Sequence, residues 1–205
     1  MSFALLKEKE HIIYLRLKRM RILNSTPSVI SSNCNGAVML HDLKMKFNTP
    51  TVNLYILPGD FLKFVTNLKE YLSCELIEVK DELPFPVGEL NDIKVYFQHY
   101  TSFDEAHAKW VERSKRVDYN NLFIIMTQRD GCTYEQMLEF DALPYTNKVI
   151  FTYKPYKELK SAYYIKGFEN MNECGVLSYW NENRFLKRRH LDEFDSVRFF
   201  NGRGF

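Results

Sequence analysis

No apolar run in this 205-residue sequence approaches the roughly 18 to 20 residues that crossing a bilayer takes. The longest clean run is Leu122-Phe123-Ile124-Ile125-Met126. The N-terminus lacks a signal peptide's charged start and apolar middle, because Lys7, Glu8, Lys9 and Glu10 interrupt it early. Cysteine is scarce: Cys34, Cys74, Cys132 and Cys174 stand far apart with no CxxC pair. That excludes zinc-ligand spacing and argues against a disulfide framework, so four reduced thiols in a cytoplasmic, metal-free protein are expected. A net charge of +2 gives no argument for nucleic acid. No Asp-x-Asp sequence, repeat, low-complexity segment or linker occurs, so residues 1–205 read as one domain.

What the chain does have is aromatic side chains, with 16 Phe and 13 Tyr. Such side chains fill cores and also line sugar sites. Charge of one sign gathers at Arg16, Lys18, Arg19 and Arg21, and again at Lys187, Arg188 and Arg189. Residues 4–22 read as a peripheral helix with Leu6, Ile13, Leu17 and Met20 on one face, packed on its own domain or lying on a membrane surface. Strands are expected over Ser28–Ser31, Thr51–Leu57, Leu76–Val79, Ile93–His99, Leu122–Met126 and Lys148–Thr152. Helices are expected over 37–44, over 61–72 with Asp60 as N-cap, from a Ser102/Glu105 capping box to about Arg116, over Thr133–Phe140, and near 190–199. Pro84–Gly88 reads as a rigid loop. Strands alternating with helices predict a three-layer, Rossmann-like α/β domain: a largely parallel sheet with helices on both faces. The tail 153–205 is an aromatic and basic cap, and Tyr153, Tyr156, Tyr163, Tyr164, Tyr179 and Trp180 would form either a sugar-stacking wall or core.

Ligands of open α/β sheets bind at the carboxyl ends of the strands, and three polar segments fall there. Cys34 follows the first strand at the turn into a helix, where the helix dipole favours a thiolate and backbone N–H groups would hold an oxyanion. Gly36 would let the backbone approach a ligand closely. A small buried thiol filling a strand–helix junction satisfies the same pattern. His99 ends another strand and is the candidate base, or else a hydrogen-bonded structural histidine. Arg129-Asp130-Gly131 follows the buried strand; Arg129 would meet a phosphate and Asp130 a sugar hydroxyl or the histidine, unless the pair only shapes a loop.

The same segments carry a family likeness. Ile30-Ser31-Ser32-Asn33-Cys34-Asn35-Gly36, Thr49-Pro50-Thr51-Val52-Asn53-Leu54, Phe97-Gln98-His99-Tyr100 and Arg129-Asp130-Gly131-Cys132-Thr133 resemble blocks of the bacterial family known as domain of unknown function 1919. The likeness spans roughly residues 27–200. Asn35, Ala37 and Gln128 depart from the family's usual residues. Members are often labelled capsular or exopolysaccharide biosynthesis proteins. The Asn33-Cys34 turn is also similar to a coenzyme A-binding group of capsule acetyltransferases. The resemblance implies an O-acyltransferase, with acetyl-CoA as donor and a saccharide or lipid-linked saccharide as acceptor. Cys34, His99 and Asp130 would be catalytic, and Ser32, Asn33, Asn35, Gly36, Arg129 and Lys166 would hold the donor. A glycosyl- or sugar-phosphate transferase using a nucleotide-sugar is the alternative enzyme. A scaffold at the inner face of the membrane is the alternative without catalysis.

Overall fold

The computed structural model describes residues 3–181 and 188–205, with side chains from residue 8 onward. A central sheet is built from β1 (Ser28–Ser31), β5 (Leu122–Thr127), β6 (Lys148–Thr152) and β7 (Ala162–Tyr164), side by side in that order and parallel throughout. Its strands are apolar on both faces because both faces are covered. Ile30, Ile124, Met126 and Ile150 point into one core, and Val29, Phe123, Ile125, Val149 and Phe151 into the other. This is the expected three-layer α/β architecture.

The second core is covered by α2 (Asn35–Asp42), through Met39 and Leu40, and by a 3-10 turn (His190–Glu193) and α7 (Ser196–Phe200). Phe194, Phe199 and Phe200 pack there at edge-to-face and tilted angles. The first core is covered by α3 (Pro58–Thr66), α4 (Leu68–Tyr71), α5 (Phe103–Ser114) and α6 (Tyr134–Ala142). It also takes in a separate antiparallel sheet of β2 (Ile77–Val79), β3 (Val87–Leu90) and β4 (Ile93–Tyr96).

Several local expectations are corrected. Residues 51–57 form no strand; the segment meets β4 at a single bridge, where Tyr55 and Tyr96 exchange two 2.9 Å backbone hydrogen bonds. Its alternation of apolar and polar residues comes from burying one face, Leu54 and Ile56, in the first core while Tyr55 and Leu57 face the cleft, not from pairing in the parallel sheet. The strand ending near His99 lies in the antiparallel sheet, and Gly88 sits inside β3, where a Cβ would come within 2.6 Å of Leu76. Asp60 is not an N-cap, since α3 starts at Pro58; its carboxylate accepts from the Lys94 N–H at 3.0 Å. Ser102 does cap α5, but Glu105 accepts from Thr101 instead of closing the box. Thr133 and Gln136 form a full capping box on α6.

The N-terminal helix α1 (Phe3–Met20) is present, but turned over. His11, Tyr14, Leu15 and Lys18 face the body, while Ile13, Leu17 and Met20 point outward. Leu6, and Lys187 of the second basic cluster, lie outside the described side chains. Among the described residues no helix is long and apolar enough to cross a membrane.

Candidate functional site

β1 and β5 run parallel, so the turns that follow them open at the same edge. After β1 the chain is clipped in place by its backbone: the Ser32 N–H donates to Ile125 O, and the Ser32 carbonyl accepts from Ile56 N–H, both at 2.9 Å. Asn33 Oδ1 then accepts from Asn35 N–H at 3.1 Å, a local turn that starts α2. The Asn35 side chain donates to Thr127 Oγ1 at 3.0 Å, a buried bond tying the first turn of α2 to the end of β5. Gly36 has a packing role. A Cβ there would lie 2.7 Å from Ser31 Cβ and 3.0 Å from Val29 Cγ1, so only glycine lets α2 approach β1 this closely.

This leaves Cys34 at the N-terminal boundary of α2, with its side chain in a cleft of about 650 Å³. The Tyr55–Tyr96 bridge, reinforced by ring stacking at 4.6 Å, brings the end of β4 over the same cleft. His99 is held there by its backbone N–H to Asn53 O at 3.3 Å. Gln98 Nε2 donates to the Cys34 sulfur at 3.3 Å, and the thiol reaches Leu54 O at 3.7 Å. Among the described residues the imidazole makes no hydrogen bond to that sulfur; Gln98 stands in that place. Burial pushes the Cys34 thiol up, against the opposing Gln98 amide donor. Burial thus works against the thiolate expected from the helix dipole.

The segment after β5 supplies the third side. Asp130 and Gly131 both adopt left-handed φ, 57° and 78°, which turns the chain back across the cleft mouth. Arg129 Nε donates to Asp130 Oδ2 at 3.2 Å, and the Asp130 N–H to Glu173 Oε2 at 2.7 Å. Tyr55, Phe85 and Tyr179 give the walls an aromatic character.

Of the residues singled out in the sequence, Asn33, Cys34, Asn35, His99, Arg129 and Asp130 line one cleft. Ser32 and Gly36 lie behind it as supports. Lys166 is elsewhere, its N–H on Glu193 and its carbonyl beside His190 Nδ1. Gln98, Tyr55 and Phe85 were missed. Gln98 is adjacent to the histidine, but nothing in its spacing signals contact with a cysteine 64 positions earlier. Among the described residues no His, Cys, Asp and Glu side chains converge as a metal site.

The model of the family described as domain of unknown function (DUF1919) matches residues 6–201. An uncharacterized protein of Haemophilus influenzae is 46% identical over 201 residues, covering 97% of this chain and 95% of its own length.

Proposed function

The chain belongs to the DUF1919 family, and from that premise we propose that it is a cytoplasmic acyltransferase of capsular or exopolysaccharide biosynthesis, moving an acyl group from a thioester to a saccharide hydroxyl. One observation carries the reading: a thiol, an imidazole, a guanidinium and a carboxylate, from three separate turns, meet in one aromatic-walled cleft. The acceptor is a saccharide, free or lipid-linked, stacked against Tyr55 or Tyr179.

Coenzyme A fits this lining only in part. Among the described lining its phosphates would find one cation, Arg129, which is already paired with Asp130, since Lys166 is outside the cleft. No step is therefore assigned to the nucleotide end of the donor. His99 takes the proton of the acceptor hydroxyl while that oxygen attacks the thioester carbonyl. The carbon–sulfur bond then breaks, and the imidazolium returns the proton to the departing thiolate. Direct transfer suits a Cys34 whose thiol is held neutral better than an acyl-cysteine route does. Asp130 orients the acceptor, and Cys34 with Gln98 shapes the floor beneath it.

The test is thiol release from acetyl-CoA by the purified protein, with and without a panel of sugars and lipid-linked oligosaccharides. The expected result is acceptor-dependent release that His99→Ala abolishes and Cys34→Ser only reduces. Failure to release thiol with any acceptor, together with a melting shift on adding nucleotide-sugars, would replace this reading with glycosyl transfer.

A further inference from the structure

The outward face of α1 has a composition opposite to that of an ordinary surface helix. Such a helix normally turns its apolar stripe to the core and its charges to water. Here the half-buried and buried positions among the described side chains are His11, Tyr14, Lys18 and Arg19 beside Leu15, and the other described apolar residues look out. Ile12, Ile13, Leu17 and Met20 are 61%, 58%, 58% and 76% exposed, and Leu23 just beyond the helix is 72% exposed. Arg16 is exposed among them.

Leu23 also lines a groove of about 550 Å³ beside α7, which continues the patch. Arg21, Arg198 and Arg203 line it as well, with Asp195 as the one acid among its described lining. Asp195 is engaged by Arg21 at 3.3 Å, and Arg198 Nε donates to the Arg203 carbonyl at 3.2 Å. The surface is thus an apolar strip edged mainly by arginines, with exposed Glu10 at the N-terminal end of the strip and an excess of positive charge among the described residues.

We infer that this face seats on an anionic lipid surface. The apolar side chains would enter the boundary between headgroups and acyl chains, and Arg16, Arg21, Arg198 and Arg203 would meet the phosphates. The helix lies on the bilayer and does not cross it, in keeping with its many charges. A second copy of the chain is the weaker occupant. A twofold contact sets the patch against itself and brings these arginines face to face. The docking face and the cleft also share a support: His11 of α1 packs edge-on against Trp180 at 5.1 Å, and the neighbouring Tyr179 lines the cleft.

The full chain should co-sediment with phosphatidylglycerol–phosphatidylcholine vesicles and not with phosphatidylcholine alone. Ile13→Ser with Met20→Ser should weaken partitioning about tenfold or more, the scale of a large apolar side chain withdrawn from an apolar phase. Arg16→Gln and Arg203→Gln should each weaken it about fivefold. Melting temperatures should stay unchanged, since all four side chains are exposed. The inference is overturned if the wild type ignores anionic vesicles, or if binding is indifferent to these substitutions. It is equally overturned if light scattering finds a dimer that the Ile13/Met20 variant dissolves.

Discussion

Gln98 holds the sulfur of Cys34 at 3.3 Å, where a catalytic histidine would stand in a thiol–imidazole pair. Burial raises the thiol's pKa, and the Gln98 N–H partly opposes that rise. Alkylation of Cys34 by iodoacetamide, followed peptide by peptide, should therefore be slow at neutral pH and speed up only toward alkaline pH. Gln98→Leu should move that profile further up, because the sulfur loses the donor that favours its charged form. A profile that moves down, or does not move, would mean that the amide does not face the sulfur in solution.

Gly36 sets the distance between α2 and β1. Gly36→Ala would place a methyl group 2.7 Å from Ser31 Cβ, on a strand that cannot give way because both its faces are packed. The expected loss is about 1 to 3 kcal/mol, the usual cost of overpacking. Urea unfolding measures it. A loss of activity should accompany it, since the displaced helix carries Cys34 and Asn35 into the cleft.

The parallel sheet was legible because its strands are short apolar runs separated by helices, and Leu122–Met126 could only be buried on both faces. The edge holding Cys34, His99 and Asp130 followed from that sheet. For His99 the route was wrong although the place was right: its strand is antiparallel and belongs to the other sheet. Alternation along Ile93–Phe97 reports one buried face, not the direction or identity of the neighbouring strand. The Tyr55–Tyr96 bridge that delivers His99 joins residues 41 positions apart, and no local pattern encodes it. For α1 the sequence left two directions open, because helical periodicity finds an apolar stripe without saying whether it turns to the core or outward.

Cys174 is 1% exposed on the second core, and burial pushes its thiol up from 9.0 to about 12. The folded state thus holds the proton more tightly than the unfolded state. The resulting stability is fully present below about pH 9 and is lost as pH rises toward 12. The decline should approach about 1.4 kcal/mol per pH unit for this one group. Its onset should precede that of the buried tyrosines, whose ordinary value is 10.0. Cys174→Ala should lessen the slope of the stability curve between pH 9 and 10 in chemical denaturation without abolishing it, because burial also pushes up the Cys34 and Cys132 thiols. An unchanged slope would show that the thiol ionises in place without cost.

Arg189 anchors the charge cluster beneath α1. Its guanidinium pairs with the carboxylate of Asp42, at the end of α2, and with Asp192 Oδ1 at 2.9 Å. All three side chains are at most 12% exposed. Lys18 of α1 is buried nearby, and His11 Nδ1 lies 3.7 Å from Asp192. Arg189→Met would leave two carboxylates in a nearly dry site, answered among the described residues by Lys18, by His11 and by Arg19, whose Nε donates to the Asp42 carbonyl at 2.7 Å. Breaking a buried pair in this way costs about 3 to 5 kcal/mol, or roughly 10 °C in a domain of this size. Adding Asp42→Asn should recover part of the loss, because it removes one of the two stranded charges. Hydrogen exchange should show α1 opening first, since its inner face depends on these acids and little apolar area among its described side chains holds it down. A loss of less than about 0.5 kcal/mol, within the range of ordinary surface substitutions, would show that water reaches the cluster and that the charge pairs do not hold α1 in place.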